Sequence, residues 1–137
     1  MIRTTAAAPL ATRLREIHHE VVLLIARHRP DCVAVEDVFY AKNVRTSLVL
    51  GHARGVVLLA AEQAGITIVE YPPAEIKKAV VGTGAATKAQ VQFMVAQLLR
   101  LRAVPEPADA ADGVAAALAH LMSARVPTLP PRAARLG

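Results

Sequence analysis

"CVAVEDVF", residues Cys32 to Phe39, decides how the rest of the chain is read. Three valines in a short apolar run suit a pleated surface packed on both sides, so the stretch predicts a short, largely buried strand. Glu36 interrupts that strand from inside. Upstream, Leu10, Leu14, Ile17, Val21, Leu24 and Ile25 recur at helical spacing after Pro9, with charges on the other face. They predict an amphipathic helix from about Pro9 to His28, ended by Pro30 and Asp31. Downstream, about Val44 to Gln63 predicts a second helix closed by Gly65, and "ITIVEY", Ile66 to Tyr71, a second strand. Helix, strand, helix, strand is the order of an α/β domain.

The remaining chain predicts a short helix around Ala74 to Val80, the glycine loop "VGTGAA", a helix of about Thr87 to Leu101, the Pro-rich joint "VPEP" and a last helix. Residues 1–125 are expected to form one domain, and residues 126–137, with three prolines and two arginines, a flexible basic tail. A chain of 137 residues suits a single domain that buries about two-thirds of its unfolded surface. Hydrophobic residues make up 54% of it but aromatics only 3%, so the core must be built from Val, Leu, Ile and Ala. The formal charge of +5 favours a polyanionic partner without requiring one. Cys32 is the single cysteine, which excludes an internal disulfide or a cysteine zinc site and fits a reducing cytoplasm. The apolar run "LVLGHARGVVLLAA" is interrupted by His52 and Arg54, so no membrane span is expected.

Chemistry concentrates in a few places. Asp109 and Asp112 open the alanine-rich last helix at i, i+3 spacing. Helix capping at the positive end of the dipole explains them, and so does a shared divalent cation. Glu36 supplies a third acid, costly at the end of a buried strand unless paired, hydrogen-bonded or bound to metal, while Asp37 should point to the opposite face. Lys77 and Lys78 end one helix and Lys88 opens the next, bracketing the Gly82/Gly84 loop, where backbone and ammonium groups suit phosphates. The loop lacks the Gly-Lys-Ser/Thr ending of a nucleotide triphosphate loop. Phe39, just past Glu36, is either core or a platform for an unpaired base. The five histidines show no ligand spacing. Gly51 and Gly55, four apart inside a helix, leave a smooth face for another helix, within the fold or across a dimer.

"VAVEDVFYAKNVRTSLVLGHARGVVLLAA", "YPPAEIKKAVVGTGAATKAQVQFMV" and "PADAADGVAAALAH", in that order, resemble successive motifs of the RuvC family of Holliday junction resolvases. The resemblance spans about Ile2 to His120. It implies an RNase H-like α/β fold and a homodimer that nicks two strands of a four-way DNA junction in recombination and repair. Partnership with the RuvA–RuvB branch-migration complex is also implied. Glu36, Asp109 and Asp112 fall on catalytic, metal-ligating positions, and the implied cofactor is Mg²⁺, two ions, with Mn²⁺ as a substitute. Phe39 falls on an aromatic position near the junction centre and Lys77 and Lys88 on basic positions that meet the DNA backbone; Lys78 is expected to bind DNA beside them, and Gly51 and Gly55 are expected at the dimer interface. The family's opening strand, with an Asp-Pro-Gly motif and the first metal-binding aspartate, and its hairpin partner have no counterpart here. The expected sheet therefore lacks its first two strands. Two functions stay in view: a metal-dependent endodeoxyribonuclease, and a non-catalytic DNA-binding or dimerising fragment.

Overall fold

The computed structural model describes residues 2–37 and 43–123. Seven elements follow in order: α1 (Leu10–His28), β1 (Cys32–Glu36), α2 (Val44–Gln63), β2 (Thr67–Tyr71), α3 (Pro73–Val81), α4 (Lys88–Leu98) and α5 (Ala108–Met122). The expected alternation of helix and strand is present. Phe39 and the tail at 126–137 lie outside the described residues.

β1 and β2 pair in parallel, with Cys32 opposite Thr67 and Glu36 opposite Tyr71. Parallel pairing needs a long crossover, which α2 supplies. Its start is set by Asn43, whose side chain accepts from the backbone N–H groups of Arg45 and Thr46. Its end is set by Gly65, just beyond the helix, at φ 67°, a conformation that favours glycine. At 20 residues, α2 is long and apolar enough to cross a bilayer by length and composition alone. In this fold it lies against α1 and β2. Arg54 in its middle reaches Glu70 and Asp37, with Nη2 2.7 Å and 3.4 Å from their carboxylate oxygens.

The core sits on the other side of the sheet, between α3, α4 and α5. Tyr71, Ile76, Val80, Ala86, Val91, Val95, Ala115, Ala116 and Ala119 form one buried cluster. The alanines of α5 (Ala111, Ala115, Ala116 and Ala119) lie on a single inward face, as 3.6-residue periodicity requires. Small side chains there bring helix axes close together. By contrast α1 buries no residue fully. Leu14, Ile17, Val21 and Ile25 of its expected apolar stripe are half-buried toward α2, whereas Leu10 and Leu24 are exposed.

One expectation is corrected at a helix end. The helix expected to run to Leu101 stops at Leu98, because Arg100 turns left-handed at φ 51°. The glycine loop is explained by packing: Gly82 ends α3 at φ 100°, and a Cβ on Gly84 would stand 3.2 Å from the Ala74 carbonyl oxygen. The positive φ favours glycine at 82, and a side chain at 84 would need the Ala74 carbonyl to give by a few tenths of an ångström.

Val95 is fully buried where α4 meets α5. Val95→Ala removes two methyl groups from a core with little capacity to refill the space. It should cost about 1–3 kcal/mol of unfolding free energy, measured by urea denaturation.

Candidate active site

Four elements converge on one cleft. β1 delivers Glu36 at its last position. β2 leads through Pro72 and Pro73, which start α3 without needing backbone donors, and α3 then turns Ile76 into the core and Lys77 toward the cleft. α4 is started by a reciprocal cap: Thr87 Oγ1 accepts from the Gln90 N–H, and Gln90 Oε1 accepts from the Thr87 N–H. That cap makes Lys88 the first residue of α4. α5 contributes Asp109 and Asp112 from its first two turns.

Glu36, Lys77, Lys88 and Asp112 line one cavity of about 220 Å³, floored by Ile76, Val91 and Ala115. Lys88 Nζ lies 2.9 Å from Asp112 Oδ2 and 3.4 Å from Asp109 Oδ1. The hydrogen bond to Asp112, then that group's charge, raises the Lys88 pKa above the ordinary lysine value, with Asp109 adding to it. Partial burial, followed by the like charge of Asp112, raises the Glu36 pKa above the usual glutamate value, while the Lys77 and Lys88 ammonium groups pull it down. Two acids and two cations therefore share a small, partly desolvated space. Asp109 stands on the rim, its side chain 86% exposed against 35% for Asp112.

The i, i+3 spacing does put Asp109 and Asp112 on one side of α5. No side-chain hydrogen bond caps the start of that helix, and Asp109, but not Asp112, lies in its first turn, where the helix dipole favours a carboxylate. Glu36 forms no ion pair among the described residues, so the simplest structural role for it is absent. Asp37 points the other way, to Arg54, as strand alternation requires. Lys78 is exposed on the outside of α3 and does not line the cavity, because it follows Lys77 by a 100° step around the helix. Gly51 and Gly55 lie apart from the cleft on the open face of α2, and a Cβ at either would meet nothing within 4 Å. They are thus not packed within the fold.

The donor set suits a hard divalent cation, which prefers carboxylate oxygens. Among the described residues, however, no group of three His, Cys, Asp or Glu side chains comes together as a ready-made metal site. Glu36 and Asp112 face the cavity, and the Lys88 ammonium stands between Asp112 and Asp109.

Two supporting contacts were not legible as pairs. Tyr71 Oη and His120 Nδ1 are 2.8 Å apart, with the rings edge to face at 5.9 Å, tying β2 to the far end of α5. Arg54 holds Glu70 and Asp37, the neighbours of the Tyr71 and Glu36 register pair. An arginine in the middle of an apolar helix is the available signal for the second.

A folded-state pKa above the ordinary glutamate value means that Glu36 favours folding when protonated and that this contribution is lost as pH rises through that range. At pH 7 its charge therefore works against the metal-free fold. Glu36→Gln should raise the melting temperature of the metal-free chain by about 1–3 °C at pH 7. The difference should vanish at pH 3, as followed by circular dichroism.

Comparison with known proteins gives one answer. The family model for crossover junction endodeoxyribonuclease RuvC matches residues 1–120. The RuvC of Pelotomaculum thermopropionicum is 50% identical over 119 residues, covering 87% of this chain and 73% of that protein. That of Koribacter versatilis is 49% identical over 120 residues, covering 88% and 72%. The structure of Thermus thermophilus RuvC matches with a TM-score of 0.82 at 37% identity, over 90% of this chain and 75% of that one. The same protein in complex with a Holliday junction substrate matches with a TM-score of 0.83 at 36% identity, over 88% and 73%. The RNase H-like α/β fold expected from the sequence is the fold of these neighbours.

Proposed function

The chain belongs to the RuvC family, and from that membership we propose that it serves Holliday junction resolution as a structure-specific endonuclease, with Glu36, Asp109 and Asp112 as its metal-binding, catalytic acids. The observation that carries this reading is the single cavity lined by Glu36 and Asp112 together with Lys77 and Lys88. Mg²⁺ bound there, as two ions or with Mn²⁺ as a substitute, would polarise the phosphodiester and lower the pKa of an attacking water. Glu36 fixes one wall of the cleft from the sheet, and Asp112 the other from α5. Lys77 and Lys88 draw the phosphate backbone toward them, and exposed Lys78 extends the basic surface along α3. Phe39, three residues past Glu36 in the sequence, is proposed to stack on an unpaired base at the junction.

The active form in this proposal is a homodimer. Val44, Leu48, Gly51, Gly55 and Leu59 fall on one face of α2 at helical spacing, and all are exposed. A two-fold pairing of this face would match a junction with two equivalent nicks. The further partners proposed are RuvA and RuvB, and the site of action is the cytoplasm. A second reading, a non-catalytic DNA-binding or dimerising fragment, is favoured by the lack of a three-ligand cluster among the described residues.

Cleavage separates the two readings. The 137-residue chain and the same chain preceded by the first two strands of Thermus thermophilus RuvC are each incubated with a labelled four-way junction and Mg²⁺. Symmetric nicking supports the endonuclease, and junction binding without nicking supports the fragment. In the extended chain Glu36→Gln should abolish nicking while gel-shift affinity for the junction stays within about threefold, because phosphate contacts do not need the metal ligand. Retained cleavage by that variant would overturn the assignment of Glu36.

The dimer is tested at Gly55. Open space around its Cβ position means Gly55→Leu should leave the protomer folded. Light scattering should then report a shift from dimer to monomer.

A further inference from the structure

The start of α4 carries a cation where the helix disfavours one. Lys88 is the first residue of α4, beside the positive end of the helix dipole. Its ammonium is held across the cleft by α5, 2.9 Å from Asp112 Oδ2 and 3.4 Å from Asp109 Oδ1. Lys77 lines the same cavity but forms no ion pair among the described residues. The oxygens that Lys88 engages are those assigned above to a divalent cation. An ammonium and a metal ion held at the same two carboxylates repel each other at close range, so the two compete for the pair.

We propose that Lys88 is the resident counter-ion of the Asp109/Asp112 pair, exchanged for the divalent cation when the site is loaded. The inference rests on the metal-site reading of the preceding subsection and adds an order of events to it. Before loading, the ammonium offsets the repulsion among Glu36, Asp112 and Asp109. On loading, the cation takes over that role. The long lysine side chain, more than half exposed, then swings free at the mouth of the cleft, where it can meet a phosphate. Metal and DNA binding would therefore favour each other through this one residue.

The test is Mg²⁺ binding to the 137-residue chain without DNA, followed by calorimetry at low ionic strength. Lys88→Met removes the competitor and should tighten Mg²⁺ binding by about two- to fivefold, the range expected from losing an exposed ion pair. Lys88→Arg keeps a cation and should stay near wild type. Lys77→Met measures the general effect of deleting a nearby positive charge and should give a smaller gain. Mg²⁺ affinity of Lys88→Met that is unchanged, weaker, or no better than that of Lys77→Met overturns the proposal. Asp112→Asn distinguishes the underlying reading: if it binds Mg²⁺ as tightly as wild type, the site is elsewhere and both claims fall. A second measurement needs no variant to fold. The Lys88 ¹³Cε resonance of the wild-type chain should move as Mg²⁺ is added. A stationary Lys88 resonance while the Asp112 carboxyl signal shifts would also overturn the exchange.

Discussion

Close approach of α5 to its neighbours is the constraint on which the cleft depends. Ala111, Ala115, Ala116 and Ala119 form its inward face, and all are buried. Larger residues there would hold the helix farther from β1, α3 and α4, because interaxial distance follows the side chains at the contact. Asp112, on the first turn of this seam, would then lose its place opposite Glu36. Alanine contributes little transfer free energy per residue, so this helix trades burial for proximity. The low aromatic content points the same way, since the core is filled by many small contacts.

Strand alternation divides the two acids at the end of β1 between chemistry and scaffold. Glu36 faces the cavity on the α5 side, and Asp37 faces Arg54 of α2. Neighbouring carboxylates are thereby held apart by the sheet itself. On the scaffold side, Arg54 is mostly buried and flanked by two carboxylates, so its charge is balanced locally. On the cleft side, Lys77 and Lys88 offset the acids only in part, and the Glu36 carboxyl remains above its usual pKa. The imbalance is confined to the side where a ligand is needed.

Periodicity and breakers made the elements legible. The sequence signals for α2 coincide with its ends at Val44 and Gln63, and those for both strands fall within a few residues of their ends, because valine runs, Gly65 and Pro30 act locally. Glu36 and the aspartate pair were legible as candidates because acids in apolar surroundings need a reason. Which lysine joins them was not: Lys77, Lys78 and Lys88 look alike in sequence, and only the turn of α3 and the Thr87 cap separate the two in the cleft from the one outside it. The Tyr71 to His120 contact spans 49 residues and leaves no local trace. The exposed state of Gly51 and Gly55 was equally hidden, since their spacing serves an internal or an external helix contact alike.

The two ends of α5 are held by interactions of very different strength. Near its C-terminus, Tyr71 and His120 meet at 2.8 Å in a half-buried setting, with the Tyr71 ring inside the core. Near its N-terminus, the link to α4 is the Lys88 ion pair, whose partners are open to water. An exposed ion pair contributes little to stability, whereas a partly buried hydrogen bond beside a packed ring is harder to replace. The seam and the tyrosine therefore set where α5 lies, and the lysine contact can be given up without moving it. A cleft built this way keeps its two walls in register while the charge between them changes identity.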